Sequence, residues 1–494
     1  MLKRVFVAPD PGRARLRFAA RAVLGIGLAV VVCLLAGQSV VGAVAGGLAA
    51  LLALFTVADA TVRGQAVTTA LLPAVGVPVL AAAAELHAVP VARDLVFLGV
   101  VGAGVYARRW GPRGHSLGVF AFMTFFVAQF LHATPAQLPE LYAAVLLSVL
   151  SAAVVRFGVW CYERRLPPAV VPSPTPGLAR VTTRQAVQAT AGAGFALVVG
   201  QLVSGQRWYW AVGATWWIFV NTASRGETLV RGFRRVLGTV IGICLGFLVA
   251  VPVGGAPVPT AVLVTVAVFG IFYTAAVSYT WMMLWVTLLA ELLYGLLGVL
   301  SPGLLALRFA ETGVGALGAA LAVLFVLPVT THAITDAWIQ RALRCVHACT
   351  AEAAARLAGS STADPAPRVA ELEQLLGRVR LAVAPLVHPL NPMPARKRRA
   401  RRVLALLDDC AREVHGLVAV AADPEASHDA RLAAACWRVE SAVEALTAGR
   451  REPVHNPAEP PAEPALAHLH GLERALTDLA EPLRAPTGSR PVGA

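Results

Sequence analysis

The sequence predicts an all-α, polytopic membrane helical bundle of about twelve transmembrane helices, followed by a helical domain outside the bilayer. Three observations predict it. Of 494 residues, 57% are hydrophobic and 14% charged, where soluble domains carry about a quarter charged. The deficit is local: residues 1–332 hold 22 Lys+Arg and 9 Asp+Glu, whereas 333–494 hold 20 and 19. Finally, the charge-free intervals of the first part are long enough to cross hydrocarbon, which takes about 20 helical residues.

The spans follow in order. Ala22–Ala58 is free of charge and breaks at Gly37-Gln38-Ser39, so it reads as a hairpin of two helices; being too long for a cleaved signal segment, its first helix is expected to stay. Gly64–Ala84 is the third. Leu95–Ala107 is short and reaches span length through Val89 if Arg93 and Asp94 sit at the headgroups. Gly114–Pro139 and Leu141–Trp160 complete six. A Pro-rich stretch over 163–184, including PSPTP, ends helical continuity. Gln185–Gln206 and Trp208–Ser224 are spans seven and eight. Val236–Ala290 breaks at Pro252–Pro259 and near Ser278, giving two helices and most of a third. The last span is bracketed by Glu311 and Asp336.

Basic residues set the orientation. With the N-terminus inside, 19 of the 22 Lys+Arg fall in cytoplasmic segments, and only Arg93, Arg207 and Arg308 fall outside. The predicted divisions are a first half at 1–162, a cytoplasmic linker at 163–184, a second half at 185–332, a cytosolic helical domain at 333–484 and a disordered tail at 485–494. An even number of spans per half makes the 6+6 plan a parallel repeat. In the cytosolic part, amphipathic helices are expected at 333–358, 367–384, 396–421, 426–449 and 462–481. The basic run at 396–402 reads as a solvated helix start or a contact with anionic lipid. The pI near 10.2 reflects this topology code, so nucleic acid is not an expected partner.

No phosphate-binding loop, dinucleotide fingerprint, HExxH, paired CxxC or GxSxG occurs in the sequence. Neither an enzyme nor a cofactor is predicted, and no metal site: Cys345 and Cys349 share a helix face at i,i+4 but read as packing. What chemistry remains lies in polar groups at membrane depth. Glu291, in LLAELLYGLLG, is costly there, by about 2.5–3.5 kcal/mol on insertion scales; it reads either as a coupling or substrate group or as a structural hydrogen bond. Arg308 and Glu311, at i,i+3 near a helix start, read first as an ion pair and second as a gate or anion contact. Trp208–Trp210 fits an interfacial aromatic belt. Trp216 and Trp217 lie deeper and could line a cavity, with Gln129 and Thr215 as further candidates.

Two stretches in the second half carry a resemblance: RRVLGTVIG at Arg234–Gly242 and RFAETGVG at Arg308–Gly315. With the tryptophan-rich helix before them and Pro328 after, they resemble the fusaric acid resistance (FUSC) family, which includes aromatic acid exporters. The matching motif positions are Arg235, Gly238, Thr239, Gly242, Arg308, Glu311, Thr312 and Gly315. The plan is also similar to that of plant aluminium-activated malate transporters. The first half, with RGQAVTTALLPAVG at Arg63–Gly76, matches in hydropathy only. The resemblance implies a secondary transporter of the bacterial plasma membrane, exporting aromatic or other organic acid anions under a proton gradient. Arg235 could meet such an anion at the inner mouth, although orientation alone would also place it there. An anion channel of similar architecture and a scaffold acting through the cytosolic domain stay open as alternatives, as does a homo-oligomer.

Overall fold

The computed structural model describes residues 13–158 except 60, 181–327 except 221 and 223, and 331–484 except 359, 361, 389–393, 423–429 and 449–463. Pro328, most of the 163–184 linker and the tail from 485 lie outside the described residues. The chain divides into two compact units, 1–329 and 330–494. No strand occurs among the described residues.

The first unit holds α1 (Ala14–Leu35), α2 (Val40–Thr56), α3 (Val62–Glu85), α4 (Pro90–Tyr106), α5 (Gly111–Phe130) and α6 (Leu138–Gly158). A second set follows: α7 (Val181–Val203), α8 (Tyr209–Phe219), α9 (Arg225–Val253), α10 (Pro257–Ala275), α11 (Tyr279–Leu296) and α12 (Pro302–Phe325). The helix starts are written in sequence. Ser39, Thr61, Ser224 and Ser301 each accept a backbone N–H from three residues on. Pro90, Pro257 and Pro302 occupy first-turn positions, where no N–H is needed.

Helix pairing repeats at an offset of six. The pairs α1–α2, α1–α6, α2–α6, α3–α5 and α4–α5 recur as α7–α8, α7–α12, α8–α12, α9–α11 and α10–α11. The seams between halves match as well: α4 packs on α7, and α10 packs on α1. Large apolar side chains such as Leu35, Leu150, Leu202, Leu248 and Phe325 remain exposed on the outside, as lipid-facing helices require.

Three expectations change. The span expected at Trp208–Ser224 is helical only over Tyr209–Phe219, 11 residues, or about 16 Å. The last helix starts at Pro302, so Arg308 and Glu311 lie roughly two turns inside it rather than at its start. Trp208 and Tyr209, expected with Trp210 in an interfacial belt, are 1–2% exposed, so with Trp216 they lie in an interior aromatic cluster instead of facing lipid. Burial selects that arrangement because Trp208 meets Phe97 edge-on and Trp216 stacks on Phe122, both of the first half.

The second unit holds α13 (Thr331–Leu357), α14 (Ala366–Val387), α15 (Pro394–Ala421), α16 (Ala430–Ala448) and α17 (Pro464–Arg484). Its core includes one face of α15, with Val403, Leu407, Cys410, Val414 and Leu417 buried at helical spacing. Cys345 and Cys349 are buried, and no cluster of metal-binding side chains occurs among the described residues.

Candidate functional site

The break after α8 is the first element of the site. Thr222 and Ser224 favour local bonds over helix: Thr222 donates to the Phe219 carbonyl at 3.1 Å, and Ser224 caps α9. Val220, Thr222 and Ser224 are nevertheless 2–3% exposed. Non-helical backbone buried in protein needs its carbonyls satisfied. Arg231 and Tyr279 donate to the Trp217 carbonyl at 3.0 and 3.3 Å. Arg108 donates to the carbonyls of Phe219 and Thr222 at 3.2 and 3.5 Å, and Gln185 also donates to Thr222. Two guanidinium groups thus sit where the helix dipole is negative. Replacing Arg108 with Met should lower stability by about 1.5–3 kcal/mol, the worth of a hydrogen bond to a charged group, while Thr222 and Gln185 keep the two carbonyls partnered; unchanged unfolding in an SDS titration would refute this capping role.

Next to the break is a cavity of about 130 Å³ between the halves. Phe55 of α2, Phe126 and Phe130 of α5, Trp210 and Trp217 of α8, and Met283 of α11 are among its walls. Among the described residues, Arg235 is the one charged side chain lining it. Arg235 is 6% exposed. It donates to the Tyr279 hydroxyl at 3.3 Å and to the Met283 sulfur at 3.1 Å, while its Nε has no partner. A buried cation with weak, incomplete partners on an apolar wall can accept an anion.

Behind the wall lies Glu291, fully buried, with neither carboxylate oxygen hydrogen-bonded. Its neighbours Ala290 and Leu293 line the cavity. The carboxylate fits against Gly246 of α9, where an added Cβ would fall on Oε2. Arg308 does not form the expected ion pair with Glu311. Its guanidinium lies 3.7 Å from the Trp210 ring centre, with Tyr294 at 5.9 Å, and its Nε and Nη1 have no hydrogen-bond partner. Glu311 is fully buried against Gly200 of α7 and the start of α8.

Residues 195–323 match the model of the fusaric acid resistance protein-like family. This stretch is fusaric acid resistance-like. With its many apolar helices, the protein is a polytopic integral membrane protein whose residues 195–323 are similar to that family. No curated protein and no solved structure matches the chain. The fusaric acid resistance-like region contains every candidate named from sequence except Gln129.

Within this region the motif glycines are contact points. Gly238 and Gly242 of α9 approach the Thr280 and Leu284 carbonyls of α11, and Gly315 of α12 approaches Ala211 of α8. Thr239 and Thr312 are buried. Of the other candidates, Trp217 and Arg235 line the cavity. Trp216 does not: it stacks on Phe122 at 4.3 Å and fills the α4–α5 contact beside Gly104. Thr215 donates to the Gly315 carbonyl at 2.9 Å, joining α8 to α12. Gln129 is buried, with its Nε2 unpartnered, away from the cavity lining. Arg108 and Gln185 belong to no motif in the sequence, and their role depends on a break that a continuous span over Trp208–Ser224 hides.

Proposed function

We propose that the protein is a proton-coupled secondary transporter exporting aromatic or related organic acid anions across the bacterial inner membrane, with its N-terminus and C-terminal unit cytoplasmic. The observation that supports this reading is Arg235 as the one cation on an aromatic-walled cavity. A flat apolar body suits the walls, and the guanidinium suits a carboxylate. The cavity is smaller than the roughly 300 Å³ at which drug-sized pockets begin, so it favours a single ring. Glu291, one layer behind, supplies a group that could exchange a proton as the anion arrives and leaves.

The test is a panel of organic acids in proteoliposomes with and without a pH gradient. Aromatic carboxylates should move only with the gradient. Arg235→Gln should raise KM about 30-fold, the cost of removing one partner from a buried charged contact. Transport indifferent to both the gradient and Arg235→Gln would reject the reading. Unitary anion currents in planar bilayers would favour a channel instead.

A further inference from the structure

The two seams between halves are built alike in pairing but differ in closure. At the α4–α7 seam, Gln201 donates to Asp94 at 2.6 Å near one end and Arg108 donates to Gln185 at 3.3 Å near the other. Between them, Gly102 lies against Thr190 with no room for a side chain. The α1–α10 seam is closed near one end only, where Phe18 meets Phe272 at 5.2 Å and Arg15 lies over Tyr273 at 5.3 Å. Beyond those contacts it opens into an apolar groove of about 420 Å³ between α1, α2, α10 and α11.

Two features mark the groove as more than a lipid-facing crevice. Leu48, Leu51, Leu289 and Leu293 line both the groove and the Arg235 cavity, so the two spaces share a wall. Thr260 lines the groove, is 2% exposed, and its hydroxyl has no hydrogen-bond partner. An unsatisfied hydroxyl buried in an apolar channel costs free energy unless a ligand atom meets it.

We infer that the α1–α10 groove is a lateral passage for the substrate's apolar tail, so that the substrates include amphiphilic aromatic anions that partition into the bilayer. This rests on the export reading above. The anionic head would sit at Arg235 and the apolar tail would pass the four shared leucines, with Thr260 free to donate to a polar substituent where a substrate carries one. The α4–α7 seam, packed and pinned by hydrogen bonds, offers no equivalent route.

Gly27 tests this directly. It lines the groove, and an added Cβ there would meet nothing within 4 Å. A Cβ at this position is unhindered, so Gly27→Trp is designed to project an indole into the passage and Gly27→Ala to leave it open. Gradient-dependent transport of benzoate and 4-octylbenzoate would be measured in proteoliposomes and corrected for vesicles lacking protein. With Gly27→Trp, 4-octylbenzoate transport should fall about tenfold or more, the change expected when two methylenes lose their burial. Benzoate should stay within about twofold, and Gly27→Ala should resemble the unaltered protein for both probes. Equal rates for both probes in Gly27→Trp, or equal losses, would overturn the passage. Failure of the unaltered protein to move either probe would instead sink the export reading, and the passage with it.

Discussion

Glu291→Gln is expected to leave the bundle assembled and to abolish uncoupler-sensitive export. The substitution keeps the side chain's shape, so the contact with Gly246 survives. It removes the one property that distinguishes this group, exchange of a proton at a carboxyl that has no hydrogen-bond partner. Ionised carboxylates without a partner are costly in a low-dielectric interior. A group kept at that cost beside a cavity is best placed to trade its charge against a substrate's. Gly246→Ala should do part of the same damage by another route, because its Cβ would occupy the space of Oε2 and push the carboxylate away. Both variants should be monodisperse by size exclusion, and export would be followed as efflux of a preloaded aromatic carboxylate with and without uncoupler. Uncoupler-sensitive efflux at the unaltered rate in Glu291→Gln would remove this residue from the mechanism.

Much of the fold was legible because hydrocarbon imposes few solutions. Charge-free length and Pro and Gly breaks place α1–α7 and α9–α11 close to where they lie. Even α4, apolar over only Leu95–Ala107, reaches back to Pro90 because Arg93 and Asp94 pair at 2.9 Å and fit within the helix. Apolar content could not reveal the end of α8. Val220 to Ser224 is as uncharged as a span, and the break is stabilised by Arg108, Gln185 and Arg231 from three other segments. The same limit applies to the site. Arg235 and Trp217 could be named from a motif and a depth, but that they share a cavity while Trp216 fills the core depends on which face of an 11-residue helix turns inward. Likewise, i,i+3 spacing suggests an Arg308–Glu311 pair, yet the ring of Trp210 holds the guanidinium instead.

Gly315→Leu should prevent assembly of the membrane unit, while Gly313→Leu, two residues earlier in the same RFAETGVG stretch, should be neutral or stabilising. Intrinsic preference argues the same way for both, since replacing a mid-helix glycine gains up to about 1 kcal/mol. Packing separates them. At Gly313 an added Cβ meets nothing within 4 Å. At Gly315 it would strike the Ala211 carbonyl and lie 2.6 Å from the Ala214 Cβ and 3.1 Å from the Thr215 nitrogen. Backbone cannot yield as a flexible side chain does, so α8 would have to leave α12, and the Thr215 bond to Gly315 would go with it. Overpacking alone costs about 1–3 kcal/mol in cores that can relax, and here relaxation would also uncover the carbonyls that Arg108 and Arg231 cap. Fluorescence-detected size exclusion of tagged variants would show a lost or aggregated peak for Gly315→Leu and an intact one for Gly313→Leu. Equal behaviour of the two would mean that the close approach of α12 to α8 does not govern assembly, and that the second glycine of the motif serves some purpose other than this contact.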